Sequence, residues 1–365
     1  MVYWKSTLEK MEIDSQFWKN KKVLVTGHTG FKGSWLSLWL QKLNANVFGF
    51  SKSIPTNPSM FEIANVNKNM QSDTGDISNF ETIKSAIEKF QPEIVIHMAA
   101  QSIVLKSYED PLETYTTNVI GTLNLFEAVR RNNKVKVIIN ITSDKCYENK
   151  ELGTPFKESD AMGGYDPYSS SKGCSELLTS SFRNSFFNPQ QFPENKVSLA
   201  SARAGNVIGG GDWAEFRLIP DMIRGIQRKE VIKIRNQNYV RPWQFVLEPL
   251  NGYLMLSERL WNKGDQYSQA WNFGPLQNEK ETVSYLISRF TDEFDELKLE
   301  YEENNMHETE SLTLDSSKAR KELGWSNKLN LEETVTWTVD WYKKYFEGEN
   351  MKEYSFEQIE NFTSL

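Results

Sequence analysis

The chain is poor in residues that build covalent or metallic staples. Its 365 residues include two cysteines, Cys146 and Cys174, and three histidines, His28, His97 and His307. Two cysteines make no disulfide framework, and the histidines stand far apart without ligand spacing, so neither a disulfide scaffold nor a zinc site is expected. His97 ends an apolar run and reads as structural. No apolar stretch is long enough to span a bilayer and no secretory leader is legible, which makes the reducing cytoplasm the expected compartment and excludes membrane partners. Dense lysine or arginine blocks are missing and the formal charge is −7, so a nucleic-acid surface is not expected, although a few placed arginines can still meet an anionic ligand. No internal repeat or low-complexity tract interrupts the chain.

What is present is a core-forming composition, 39% hydrophobic and 13% aromatic, sufficient for one large or two smaller domains. The most informative stretch is Lys22-Val-Leu-Val-Thr-Gly27-His-Thr-Gly30-Phe-Lys-Gly33-Ser-Trp-Leu. Val23 to Val25 suit a strand buried on both faces, and Trp35, Leu36, Leu38, Trp39 and Leu40 follow at helical spacing. Gly27 permits the sharp turn, Gly30 lets a pyrophosphate approach the backbone, and Gly33 lets helix pack on strand, with Thr29 and Phe31 completing the loop. A dinucleotide is the expected ligand. A Walker-type loop is not, because no Lys-Ser or Lys-Thr pair follows the last glycine. About 20 residues on, where an acid commonly meets the ribose of NAD, the chain carries Ser51 and then Lys52, which leaves NAD against NADP open at that position.

Strands and helices then alternate. Strands are expected at 46–50, 71–77, 94–98, 135–141 and 197–202, with helices at 80–90 (capped by Ser78 or Asn79), 113–131 and from Tyr168 to about Phe186. Leu123, Phe126 and Val129 are expected on one face of the second helix, and Phe17-Trp18 on the sheet edge. This predicts an α/β Rossmann-type, doubly wound parallel sheet over residues 1–204, with 241–273 returning to it. A smaller, mixed α/β, discontinuous substrate-binding domain is expected over 205–365, ending in an amphipathic helix at Leu331 to Phe346.

The chemistry concentrates between Ser143 and Lys172. Tyr168 and Lys172 share a helix face, and an ammonium there is expected to lower the tyrosine pKa from about 10, giving a base for an alcohol proton. Ser143, at a strand's carboxyl end, is positioned to meet the oxyanion.

The order of glycine turn, Asn118 helix, Ser143 strand end and Tyr-x-x-x-Lys helix resembles the extended short-chain dehydrogenase/reductase family, from about Lys21 to the last helix. The stretches 25–36 and 142–147, with Arg203 to Trp213, Arg217 to Asp221 and Arg241 to Pro249, are similar to the branch that dehydrates nucleotide sugars, CDP-glucose in particular. The resemblance implies a tightly held NAD, a CDP-glucose substrate, and catalysis by Ser143, Asp144, Lys145, Tyr168 and Lys172. Asp144 would protonate the departing hydroxyl. Lys145, where similar dehydratases carry glutamate, would be the C5 base, stabilise the enolate, or merely pair with Asp144. The resemblance also implies Asp76 and Ile77 at the adenine, Ala99, Ala100 and Gln101 along the dinucleotide, and Asn118 in the cofactor site, positioning a water or the catalytic strand. Gln101, Ser143, Asn206, Arg217 and Arg241 would meet the substrate. Trp213 and Trp243 would border its nucleotide, Phe216 and Phe245 stand where related sequences more often have polar residues, and two long helices would pair in a homodimer or tetramer. A 4-epimerase, a dehydratase of another nucleotide sugar, and a catalytically idle dinucleotide sensor are the alternatives.

Overall fold

The protein is described by a computed structural model covering residues 13–150, 153–192, 194, 197–235, 237–276, 281–294, 298–302 and 312–365. His307 lies outside the described residues. Seven parallel strands form the central sheet: β1 (Lys22–Thr26), β2 (Asn46–Ser51), β3 (Gln71–Thr74), β4 (Ile94–His97), β5 (Val137–Ile141), β6 (Ser198–Ala204) and β7 (Ala270–Phe273), in the spatial order β7-β6-β5-β4-β1-β2-β3. The order reverses beside β1. In open α/β sheets that reversal leaves a crevice at the carboxyl ends of the strands.

Successive residues of each strand point to opposite faces, and the two faces bury separate clusters. Val23, Val25, Ile94, Ile96, Val137 and Ile139 face one core, shared with the helices Phe31–Lys42, Leu247–Asn262 and Met351–Ser364. Leu24, Phe48, Val95, Ile138 and Leu199 face the other, under the helices Phe80–Phe90, Gly121–Arg130 and Pro167–Ser185. The near-continuous apolar runs of the inner strands follow from this double burial. Among the described residues no helix is long and apolar enough to cross a membrane.

Several local expectations need correction. The helix expected at 113–131 is three pieces: Pro111–Tyr115, a π turn at Thr116–Ile120, and Gly121–Arg130. Its last piece buries Thr122, Leu125, Phe126, Ala128 and Val129 among others, whereas Leu123 is 37% exposed. Trp18 is fully buried near the helix Leu247–Asn262, its Nε1 donating to Glu258 at 2.7 Å, while Phe17 meets Trp18 and Trp261 edge-on with ring centroids 5.2 and 5.7 Å away. Leu331–Phe346 is not the last helix. Met351–Ser364 follows it and packs on Phe31–Lys42, with Phe362 edge-on to Trp39 at 5.8 Å. Phe245 belongs to the core between Trp35 and Trp337, away from solvent.

Asn79 caps the helix Phe80–Phe90 by accepting from the amides of Glu81 and Thr82. His97 is a strut between layers, paired with Thr26 Oγ1 at 2.7 Å and Thr122 Oγ1 at 3.1 Å. Burial, reinforced by the Lys172 charge, pushes its imidazole down to about 3. The unfolded chain titrates this group near 6.5, so stability from the neutral ring is present above pH 6.5 and is lost as pH falls toward 3. Between pH 6 and 4 the wild type should lose stability more steeply than His97→Gln by about 1 kcal/mol per pH unit. Urea midpoints across that range measure the difference, and parallel slopes would show that His97 carries no such linkage.

Candidate active site

The carboxyl ends of the strands open into a cleft of about 1090 Å³, which is roofed by the residues after Gly205. Its floor begins at the glycine turn. Gly27 has φ +73°, and a methyl group there would sit 2.8 Å from the Ala99 amide nitrogen. A methyl on Gly33 would collide with the Gly27 carbonyl, so helix and turn touch without an intervening side chain. The helix Phe31–Lys42 starts at Gly30 with no side-chain cap, leaving its first amides free to receive an anion from the cleft.

At the end of β5, Ser143 Oγ donates to Asp144 Oδ1 at 2.8 Å. Burial pushes the Asp144 carboxyl up, against the pull of Lys145 and the Ser143 hydrogen bond. Burial also pushes the Lys172 ammonium down to about 8, and its Nζ donates to the Ile141 carbonyl at 3.3 Å. The lowered tyrosine pKa expected from the Tyr168–Lys172 spacing is corrected by this geometry. Tyr168 is pushed up to about 12, first by burial and then by the facing carboxylates Asp144 and Asp166, with Ser143 and Arg217 opposing. Spacing on a helix fixes a shared face, but here Lys172 reaches the strand carbonyl, and water loss outweighs the cations.

Gly27, Thr29, Gly30, Phe31 and Gly33 line the cleft, as do Asp76, Ile77, Ala99, Ala100 and Gln101. Ser143, Asp144, Lys145, Tyr168 and Lys172 line it too, with Asn206, Arg217 and Arg241 from the roof. Trp213, Trp243 and the half-exposed Phe216 also border it. Asn118 does not. Its buried amide accepts from the Gln101 amide at 2.9 Å and donates to the Gln101 carbonyl at 3.0 Å and to Ser171 Oγ at 2.9 Å, so it shapes the Gln101 loop from behind. The Gln101 side chain is likewise engaged within its own loop, on Ile103 and Thr114.

The sequence profile of the GDP-mannose 4,6 dehydratase family matches residues 24–338. The chain belongs to that family. A CDP-glucose 4,6-dehydratase of Salmonella typhimurium is 50% identical to it over 354 residues, 96% of this chain and 99% of its own length. A dTDP-glucose 4,6-dehydratase of Haemophilus influenzae is 27% identical, over 88% of this chain and 97% of its own. Among solved structures, dTDP-glucose 4,6-dehydratase of Bacillus anthracis in complex with NAD is similar with a TM-score of 0.73 at 22% identity, covering 90% of this chain and 98% of that one. The epimerase Mth375 of Methanothermobacter thermautotrophicus reaches 0.79 at 22% identity, covering 91% and 95%. These last two likenesses bear on the fold.

In this member of the GDP-mannose 4,6 dehydratase family, several cleft residues escape sequence reasoning. Lys32 lies inside the glycine turn, and burial together with Arg217 and Lys172 pushes it down to about 8, with Asp144 and Asp212 opposing. Arg217 is itself tied to Asp212 at 2.9 Å and to Ser102 at 3.2 Å. Ser51, at the ribose position, pairs with His28 Nδ1 at 2.8 Å, and Lys52 bridges Asp76 at 3.1 Å and Glu113 at 3.4 Å. The glycine turn could have pointed to Lys32, and the stretch Arg203 to Trp213 could have pointed to Asp212, but their partners, like Glu113, come from distant segments. Gly33→Ala should lower stability by about 1–3 kcal/mol through overpacking. A denaturant midpoint unchanged from wild type would show that the helix can back away from the turn.

Proposed function

We propose that the chain is an NAD-dependent nucleotide-sugar 4,6-dehydratase that converts CDP-glucose to CDP-4-keto-6-deoxyglucose. The observation that carries this reading is the Ser143–Asp144 hydrogen bond in the cleft that Tyr168 also lines. It places a phenol for an alcohol proton beside a buried carboxyl whose pKa is pushed toward the protonated acid that loss of water from C6 requires. An epimerase has no use for that acid. The 50% identity to the Salmonella typhimurium CDP-glucose 4,6-dehydratase supports the nucleotide.

The residues present suit a dinucleotide. The uncapped helix start at Gly30 and the close approach at Gly27 would hold its pyrophosphate, Asp76 and Ile77 its adenine end, and Ala99 and Ala100 leave room along the strand edge. A bound NAD would supply reversible hydride exchange with the sugar, so that the turnover carries no net oxidation. Tyr168, as the phenolate that Ser143 and Arg217 favour against burial, removes the C4 hydroxyl proton, with Ser143 hydrogen-bonded to the same sugar oxygen and Lys172 fixing the local charge. The resulting ketone acidifies the C5 proton. Lys145 is assigned that step, as its base or as the cation facing the enolate, and Asp144 protonates the C6 hydroxyl as it leaves. Arg217 and Arg241 hold the diphosphate by bidentate bonding, and Asn206 orients the sugar.

The purified protein should convert CDP-glucose to a product lighter by one water without accumulating NADH. Tyr168→Phe should lower kcat by about 10³-fold, and Lys145→Ala should lose exchange of the C5 proton with solvent if Lys145 is the base. A product of unchanged mass and inverted C4 would replace this reading with epimerisation, and no turnover of CDP-, dTDP- or GDP-sugars would replace it with sensing.

A homodimer is part of the same proposal. Leu112, Leu123 and Leu177, on the helical stretches 111–130 and 167–185, are 77%, 37% and 61% exposed, an apolar surface suited to a second copy. Leu177→Glu should halve the molar mass measured by light scattering; an unchanged mass would place the contact elsewhere.

A further inference from the structure

Behind the cleft floor lies a buried charged network that the proposed reaction does not use directly. Tyr168, Lys172 and Glu176 follow one another at four-residue intervals on the helix Pro167–Ser185, so Glu176 lies two turns along the catalytic face. Its carboxylate accepts from Thr142 Oγ1 at 2.5 Å and Ser201 Oγ at 2.7 Å, and takes Arg203 bidentately, Nε at 2.9 Å and Nη2 at 2.8 Å. The remaining guanidinium nitrogen, Nη1, donates to the Tyr147 hydroxyl at 2.6 Å and to the Glu158 carbonyl at 3.3 Å. Tyr147 in turn donates to Asn272 Oδ1 at 2.7 Å. All six side chains, Thr142, Tyr147, Glu176, Ser201, Arg203 and Asn272, are buried.

The network touches each element that carries the chemistry. Thr142 precedes Ser143, and Tyr147 closes the short turn bearing Asp144 and Lys145. Glu176 stands on the helix of Tyr168 and Lys172, Ser201 and Arg203 on β6, and Asn272 on β7. Burial alone would raise the Glu176 carboxyl, but Arg203, Thr142 and Ser201 hold it below the usual range. Its negative charge also pulls the Lys172 ammonium up against burial. Replacing such a pair by neutral side chains commonly leaves stability intact, so stability alone does not account for it.

We propose that the Glu176–Arg203 pair is a positioning device for the dehydration, setting Ser143 and the Asp144–Lys145 turn against Tyr168 and Lys172; this rests on the dehydratase reading above. Neither residue is catalytic, since each acts through its neighbours.

The decisive variant is the double substitution Glu176→Gln with Arg203→Met, which removes both charges and leaves no lone buried ion. Its melting temperature should stay within about 5 °C of wild type. Its kcat on CDP-glucose should fall at least about 30-fold with KM changed less than about threefold, and its alkaline limb should move to lower pH as Lys172 loses the facing carboxylate. Recovery of kcat to within about threefold of wild type would overturn the proposal, because the pair would then be structural only. Should the double variant fail to fold, Thr142→Val and Tyr147→Phe each delete one neutral link; a kcat loss of about tenfold with unchanged NAD affinity supports the proposal, and wild-type kcat in both overturns it. A wild type inactive on every sugar nucleotide overturns the dehydratase reading and this inference together, whereas an active wild type with fully active variants overturns this inference alone.

Discussion

Loss of water at the carboxyl edge of the sheet moves four groups of the cleft floor toward neutrality. Lys32 and Lys172 are pushed down, Asp144 and Tyr168 up, and in each case burial is the largest cause. That dryness is supplied from far along the chain. Asp212, Trp213 and Arg217 arrive over the cleft from beyond β6, and Tyr342 of the helix Leu331–Phe346 donates to the Asp212 carbonyl at 2.7 Å to hold that loop down. The dinucleotide half and the roof are therefore one electrostatic unit. A low dielectric strengthens the interactions of every charge that remains and makes an unmatched one costly.

The parts of this arrangement legible from sequence are those set by neighbours in the chain. The turn from β1 into Phe31–Lys42, the Asn79 cap and the helix Leu331–Phe346 all depend on spacing, glycine and capping chemistry within a dozen residues. The alternation of strands and helices fixed the fold class in the same way. What escaped is set by tertiary contact. The final helix Met351–Ser364 is held by packing on Phe31–Lys42, and the environment of Phe245 is decided by Trp35 and Trp337. The Tyr168 spacing predicted a partnership with Lys172, but the direction of the pKa depended on which way the ammonium reached and on how little water is left, neither of which a helical wheel contains.

The site itself divides along the same line. Motif residues such as Gly27, Ser143 and Tyr168 could be named one at a time, because each carries its reason locally. Lys32, Asp212 and the Lys52–Asp76–Glu113 bridge acquire meaning only when three or four segments meet. Asn118 is instructive from the other direction. The motif placed it in the site, while its amide is committed to the Gln101 backbone and to Ser171, so it serves as a brace between a loop and the catalytic helix.

The π turn at Thr116–Ile120 holds that brace. A π turn carries one residue more than the α-helical turn it replaces, and each residue of a regular helix turns the face by about 100°. Deleting one residue there would restore a regular helix that still turned Leu125, Phe126 and Val129 toward the core, but Asn118 would leave the Gln101 loop. The extra residue is thus kept by the loop it braces and not by the sheet the helix covers, which a plain α-helical turn between Pro111 and Arg130 would cover equally well.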